Sequence, residues 1–137
     1  IGLKIRYRLT GWDTSAIETL HHTRREQIPL PGIACNNLSS TIDYTTELWG
    51  VTVTGDYASD RCVSVGESAR DDLYESSSLR LSTEAHARLS DRILLVFRGD
   101  NLLNTPIKLY QGSGDHTYQL VYEGPRLMIG FSYTLPD

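Results

Sequence analysis

The stretch Arg126 to Leu135, RLMIGFSYTL, sorts its side chains by parity. Successive side chains of a strand point to opposite sides, so Leu127, Ile129, Phe131, Tyr133 and Leu135 share one face and Met128, Gly130, Ser132 and Thr134 the other. Five large apolar groups on one side of a strand have to be covered. In a soluble sandwich a second sheet covers them. In a transmembrane barrel lipid does, with small or polar residues turned to the lumen.

The same alternation recurs along the chain. Ile1, Leu3, Ile5, Tyr7 and Leu9 oppose Gly2, Lys4, Arg6 and Arg8, giving an apolar and a cationic face. After a loop from Thr10 to Gly32 that carries Trp12, His21, His22 and a turn-forming IPLPG, a second run sets Leu38, Ser40, Ile42 and Tyr44 against Asn37, Ser39, Thr41, Asp43 and Thr45. A tight connection at Glu47 to Gly50 leads to a third, Trp49, Val51, Val53, Gly55 and Tyr57 against Thr52, Thr54 and Asp56. The polar segment Ser59 to Ser76 reads as a second long loop. The fourth run is the cleanest: Leu79, Leu81, Thr83, Ala85, Ala87 and Leu89 against Ser78, Arg80, Ser82, Glu84, His86 and Arg88. As a helix it would scatter its charges around the circumference; as a strand it separates them fully. A turn near Ser90 to Arg92 precedes Ile93, Leu95 and Phe97, and a third long loop, Leu102 to Gly124, precedes the last strand.

The expected fold is therefore all-β: six antiparallel strands joined by loops in the order long, short, long, short, long. An up-and-down transmembrane β-barrel has this rhythm, with short turns at one membrane surface and long loops at the other. The polar sides carry Lys4, Arg6, Arg8, Asp43, Asp56, Arg80, Glu84, His86, Arg88, Arg98 and Asp100, which suit a wet lumen better than a packed core. A soluble six-stranded sandwich or lipocalin-like binding module shows the same alternation and is the alternative. Six strands cannot close a wide polar lumen, and an open edge in lipid leaves amides unpaired at several kcal/mol each. The barrel reading thus expects this chain to be a segment of a larger barrel, or one chain of a split one. That it opens at Ile1 rather than Met fits the same expectation.

Composition removes other classes. With 13 Lys plus Arg against 17 Asp plus Glu and no basic run beyond Arg24-Arg25, no nucleic-acid partner is expected. The longest apolar run, Ile93 to Phe97, is far short of a membrane helix. No nucleophile, base and acid fall in a recognisable catalytic context, so no enzyme is expected unless its active residues belong to a missing part of an outer-membrane barrel. No cofactor or metal is expected. Adjacent His21 and His22 lack the spacing to share one ion, Asp71, Asp72 and Glu75 lack the alternation of a calcium loop, and GSGD at Gly112 to Asp115 is a turn. His86, between Glu84 and Arg88, belongs to a charge network.

Two further expectations concern side-chain pairs. A hairpin turning between Leu48 and Trp49 sets Thr41 opposite Asp56, Asp43 opposite Thr54 and, extended outwards, Cys35 opposite Cys62, which predicts a disulfide in an oxidising compartment. Trp12, Tyr110, His116 and Tyr118, on outer loops, are the candidates for stacking on a ring or sugar of a ligand.

The segment Leu79 to Leu135 resembles the C-terminal end of TonB-dependent outer-membrane receptors. The carriers are RGDNLLNTP at Arg98 to Pro106, with Asn101, Leu102, Asn104 and Pro106 in the family's pattern, the loop Tyr110 to Arg126, and Gly124 with Arg126 before the last strand, Pro125 being inserted between them. PLPG at Pro29 to Gly32 and DYASD at Asp56 to Asp60 extend the likeness to about residues 24 to 137. The resemblance implies the last six strands of a barrel of about 22 strands, residues 1 to 137 being the C-terminal part of the receptor barrel with neither plug nor TonB box. It implies import of a scarce nutrient, a siderophore, sugar or similar, across the outer membrane of a Gram-negative cell. The implied partners are the plug and remaining strands, TonB through the plug, and outer-membrane lipid. Gly130, Tyr133 and Leu135 resemble the signal read by the barrel-assembly machinery, with Leu135 standing where Phe is usual.

Overall fold

The computed structural model describes residues 1–11 and 31–135. Among the described residues the chain is all-β, with ten antiparallel strands in two sheets. Six long strands form the larger sheet: β1 (Gly2–Gly11), β2 (Asn36–Thr45), β3 (Trp49–Ala58), β6 (Ser78–Ser90), β7 (Ile93–Asp100) and β10 (Arg126–Tyr133), in the order β1-β2-β3-β6-β7-β10. Each neighbours the next in sequence order, a meander without crossover. These are the six alternating runs, and the long-short-long-short-long rhythm of their connections holds.

Two of the long connections are more than loops. β4 (Arg61–Ser64) and β5 (Leu73–Glu75) lie between β3 and β6, and β8 (Ile107–Gln111) and β9 (Thr117–Val121) lie between β7 and β10. They join as a second sheet, β4-β5-β8-β9, through antiparallel pairing of β5 with β8. Short strands in Ser- and Gly-rich sequence leave little alternation to read, and their pairing depends on a partner from a distant connection.

Ladder register carries the two faces of each strand across the whole large sheet. One row runs Leu3, Tyr44, Val51, Ala85, Phe97, Ile129; the next runs Ile5, Ile42, Val53, Thr83, Gly99, Leu127. The opposite face has Lys4, Asp43, Thr52, Glu84, Arg98, Met128 in one row and Arg6, Thr41, Thr54, Ser82 in another. Nothing among the described residues covers the apolar face. Ile5 is 63% exposed, Leu127 63%, Ile129 77% and Phe131 80%, and no strand of the small sheet packs broadly on the large one. Among the described residues only Ala34 and Cys62 form a buried apolar core.

The β2–β3 hairpin corrects the disulfide. Its turn is centred on Glu47 and Leu48, where Thr46 bonds Trp49 three ways: backbone N to O at 2.8 Å, Oγ1 donating to the same O at 2.8 Å, and Trp49 N donating to Oγ1 at 3.1 Å. The register is therefore two residues from the expected one: Thr41 faces Thr54, and Asp43 faces Thr52. Cys35 lies outside β2, and Cys62 has passed into the small sheet opposite Tyr74. The two sulphurs are not at bonding distance, and no disulfide joins Cys35 to Cys62. A shift of two residues preserves parity, so the faces survive and only the absolute pairing moves.

Candidate functional site

The charged face of the large sheet is tied across its strands. Asp43 accepts from Arg6 at 2.7 Å and from Thr52 Oγ1 at 2.8 Å, so one carboxylate links β1, β2 and β3. Thr41 and Thr54 share a hydrogen bond at 3.3 Å. Arg98 donates Nε and a terminal nitrogen to the same oxygen of Glu84, at 3.0 and 2.7 Å. His86 lies over Gly50: a Cβ added there would meet its ring at 2.5 Å and displace the imidazole from this position. These pairs are mostly exposed, and each contributes about 1 kcal/mol or less. Their consequence is a hydrated, charge-balanced surface over the middle of the sheet.

At the end carrying the long connections this face opens into a hollow of about 330 Å³, edged by Asp56, Arg80, Ser82, Asp100, Glu123 and Arg126. Arg80 pairs with Glu123 at 3.3 Å. Behind the hollow the chain reverses at Asn101 and Asn104, both with φ of +51°, a conformation asparagine tolerates better than other non-glycine residues. Asn101 is buried; its Oδ1 accepts from Thr105 N at 3.0 Å and its Nδ2 donates to Gly124 O at 3.3 Å. Leu102 N donates to Leu81 O at 2.9 Å, and Thr105 Oγ1 to Leu79 O, which fastens the reversal to β6. Leu102 also lies under Gly99, where an added Cβ would meet its Cδ2 at 2.9 Å.

The small sheet holds the other candidates. Tyr110 stacks on Tyr74, ring centroids 5.4 Å apart and 14° from parallel, and donates its phenol to Asp60 at 2.8 Å. Burial pushes the Tyr110 phenol up to about 12 from 10.0, and the bond to Asp60 and that carboxylate's charge push the same way. Asp71 and Asp72, adjacent in sequence, have opposite environments. Asp71 is exposed and accepts from Ser68 Oγ at 2.6 Å. Asp72 is 2% exposed, with Oδ1 accepting from Gly66 N at 2.9 Å and Oδ2 from the Tyr74 hydroxyl at 3.5 Å. Asp60 and Asp72 thus organise the small sheet, and nothing in their local sequence distinguishes them from solvated acids.

Of the aromatic and imidazole candidates, Trp12 lies outside the described residues, as do His21 and His22. Tyr110 is occupied in packing the small sheet. His116 sits on the β8–β9 turn, its Nδ1 3.0 Å from Ser113 Oγ, and lines a cleft of about 570 Å³ with Arg70, Gln111, Gly112 and Ser113. Tyr118, 65% exposed, lies at the irregularity where the β8–β9 register shifts. His116 alone of these residues lines the cleft. Gly130 faces Val96 on the polar side of β10, Tyr133 faces Ile93 on the apolar side, and Leu135 is exposed beyond the strand.

The Tyr110 environment gives a pH prediction. Because the phenol ionises less readily folded than unfolded, the stabilisation it reflects is complete below about pH 10 and is lost as pH rises through about 12. An absorbance titration of tyrosinate should show one group ionising late, and Tyr110→Phe should abolish that late step. A titration unchanged by the substitution would contradict it.

Comparison of the chain with protein-family models, with curated proteins and with solved structures finds no match in any of the three.

Proposed function

We propose that the chain is a segment of an antiparallel transmembrane β-barrel, the C-terminal part of a TonB-dependent receptor in the outer membrane of a Gram-negative cell. The apolar face that spans all six long strands with no cover among the described residues carries this reading. Burying a large apolar side chain contributes about 1.5–3 kcal/mol. Leaving ten of them in water would forgo roughly 15–30 kcal/mol, more than the net stability of a typical domain. Lipid supplies the cover. Ten-residue strands such as β1, β2 and β3 extend about 33 Å, which at a tilt of about 40° projects to about 25 Å, the height of the apolar band of an outer-membrane barrel. Trp49, Tyr44 and Tyr133 cluster toward the short-turn end of the apolar face, as an interfacial aromatic girdle would.

The opposite face, with its cross-strand ion pairs, then borders an aqueous lumen, and the small sheet stands outside the membrane. The edges of β1 and β10 have no strand partner among the described residues, so further strands complete the wall. In a receptor those strands, the plug and TonB would be the partners, and the cargo a scarce nutrient such as a siderophore or sugar. The chain itself performs no covalent chemistry on this reading.

The test is Trp49 fluorescence in a Trp12→Phe background, with the chain refolded in vesicles of lipids brominated at successive acyl positions. Quenching should be strongest for bromines near the headgroup and weaken toward the bilayer centre. Emission indifferent to bromination, with the chain folded in plain buffer, would overturn the proposal in favour of a soluble module.

A further inference from the structure

The two open edges differ in charge. Alternate residues of an edge strand turn their amides and carbonyls outward, so both β1 and β10 offer a ladder to another strand. On the charged face β1 carries Lys4, Arg6 and Arg8, with Asp43 the one acid directly across from them on β2. Arg6 already holds that carboxylate at 2.7 Å, and Thr52 shares it. Lys4 and Arg8 have no ion-pair partner among the described residues, and a hollow of about 550 Å³ beside Arg6, Arg8, Ser39 and Thr41 leaves the guanidinium groups open. On the same face β10 presents Met128, Gly130 and Ser132, all uncharged.

Resting on the barrel reading, we infer that the strand completing the wall beside β1 is antiparallel and acidic on its lumen side, with carboxylates at alternate positions facing Lys4, Arg6 and Arg8, and that it is not β10 of a second copy. A second copy would set the three cations against Met128, Gly130 and Ser132, add Arg126 at the end of the row, and neutralise none of them. Opposite charges directly across a ladder favour pairing and like charges oppose it, by a few tenths to about 1 kcal/mol per pair.

The experiment uses the whole chain refolded in detergent micelles and three fluorescently labelled ten-residue peptides. The first alternates Glu with Val or Leu, the second has Lys in place of each Glu, and the third is the chain's own Arg126–Leu135 segment. Binding is read by anisotropy. The Glu peptide should bind about tenfold more tightly than either of the others, and Lys4→Gln with Arg8→Gln, which leaves the Arg6–Asp43 pair in place, should reduce that preference to about twofold. Equal binding of the Glu and Lys peptides, tighter binding of the chain's own segment, no binding of any peptide, or a preference untouched by the double substitution would each overturn the inference. Trp49 quenching by brominated detergent in the same samples separates the two readings. Quenching without Glu preference removes only this inference, whereas a Glu preference without quenching removes the barrel and leaves an acidic partner strand.

Discussion

In the proposed barrel, Val53→Arg is expected to destabilise the large sheet by about 2–4 kcal/mol, while Thr54→Arg, one residue further along β3, costs about 1 kcal/mol or less. The two positions have nearly the same depth and differ in the face they occupy. Val53 lies mid-strand between Ile42 and Thr83 on the apolar side; Thr54 lies between Thr41 and Ser82 on the charged side. An arginine near the middle of the hydrocarbon must drag water or headgroups inward, whereas one on the lumen side stays hydrated and loses only the Thr41–Thr54 hydrogen bond. Urea titration of both variants in the same vesicles measures the difference directly. Equal effects would mean that both faces see water, and the membrane reading would fall with that result.

Asn101→Ala is expected to cost about 2 kcal/mol. The substitution keeps at φ +51° the Cβ that asparagine already carries, without the short polar side chain that eases this conformation. It also removes both side-chain hydrogen bonds, leaving Thr105 N and Gly124 O without those partners at about 1 kcal/mol or more each. Asn101→Gly relieves the backbone component alone and should recover about 1 kcal/mol of the loss. Chemical denaturation of the three proteins side by side checks the partition. If glycine and alanine are equally damaging, the conformation at this position is not what asparagine was needed for.

The six long strands could be read because a half-covered strand writes its period of two directly into the residues, and Ser78–Ser90 does so for thirteen positions. Which face each residue occupies is equally legible, since parity survives any even error in pairing. Absolute register is not legible in the same way. Placing the β2–β3 turn at Leu48–Trp49 instead of Glu47–Leu48 left every face correct and the cysteine pairing wrong, because the side-chain lock made by Thr46 leaves no mark in hydropathy. The outer strands were illegible for a different reason. β5 is three residues long, and it is a strand because Leu73, Tyr74 and Glu75 meet Gln111, Tyr110 and Leu109 from another connection. Asp60 and Asp72 could not be singled out either, since a carboxylate's value here lies in the Tyr110 hydroxyl and Gly66 amide that the fold brings to it.

The pairing of β5 with β8 has a mechanical outcome. It fuses two arches that spring from opposite sides of the β6–β7 hairpin into a single plate, riveted by the Tyr74–Tyr110 stack and the Asp60 tether. Neither arch can swing by itself, so a load applied to the tip at His116 is shared with the segment beneath Arg61. Any movement of this end of the protein must tilt the plate as one body or tear its central seam.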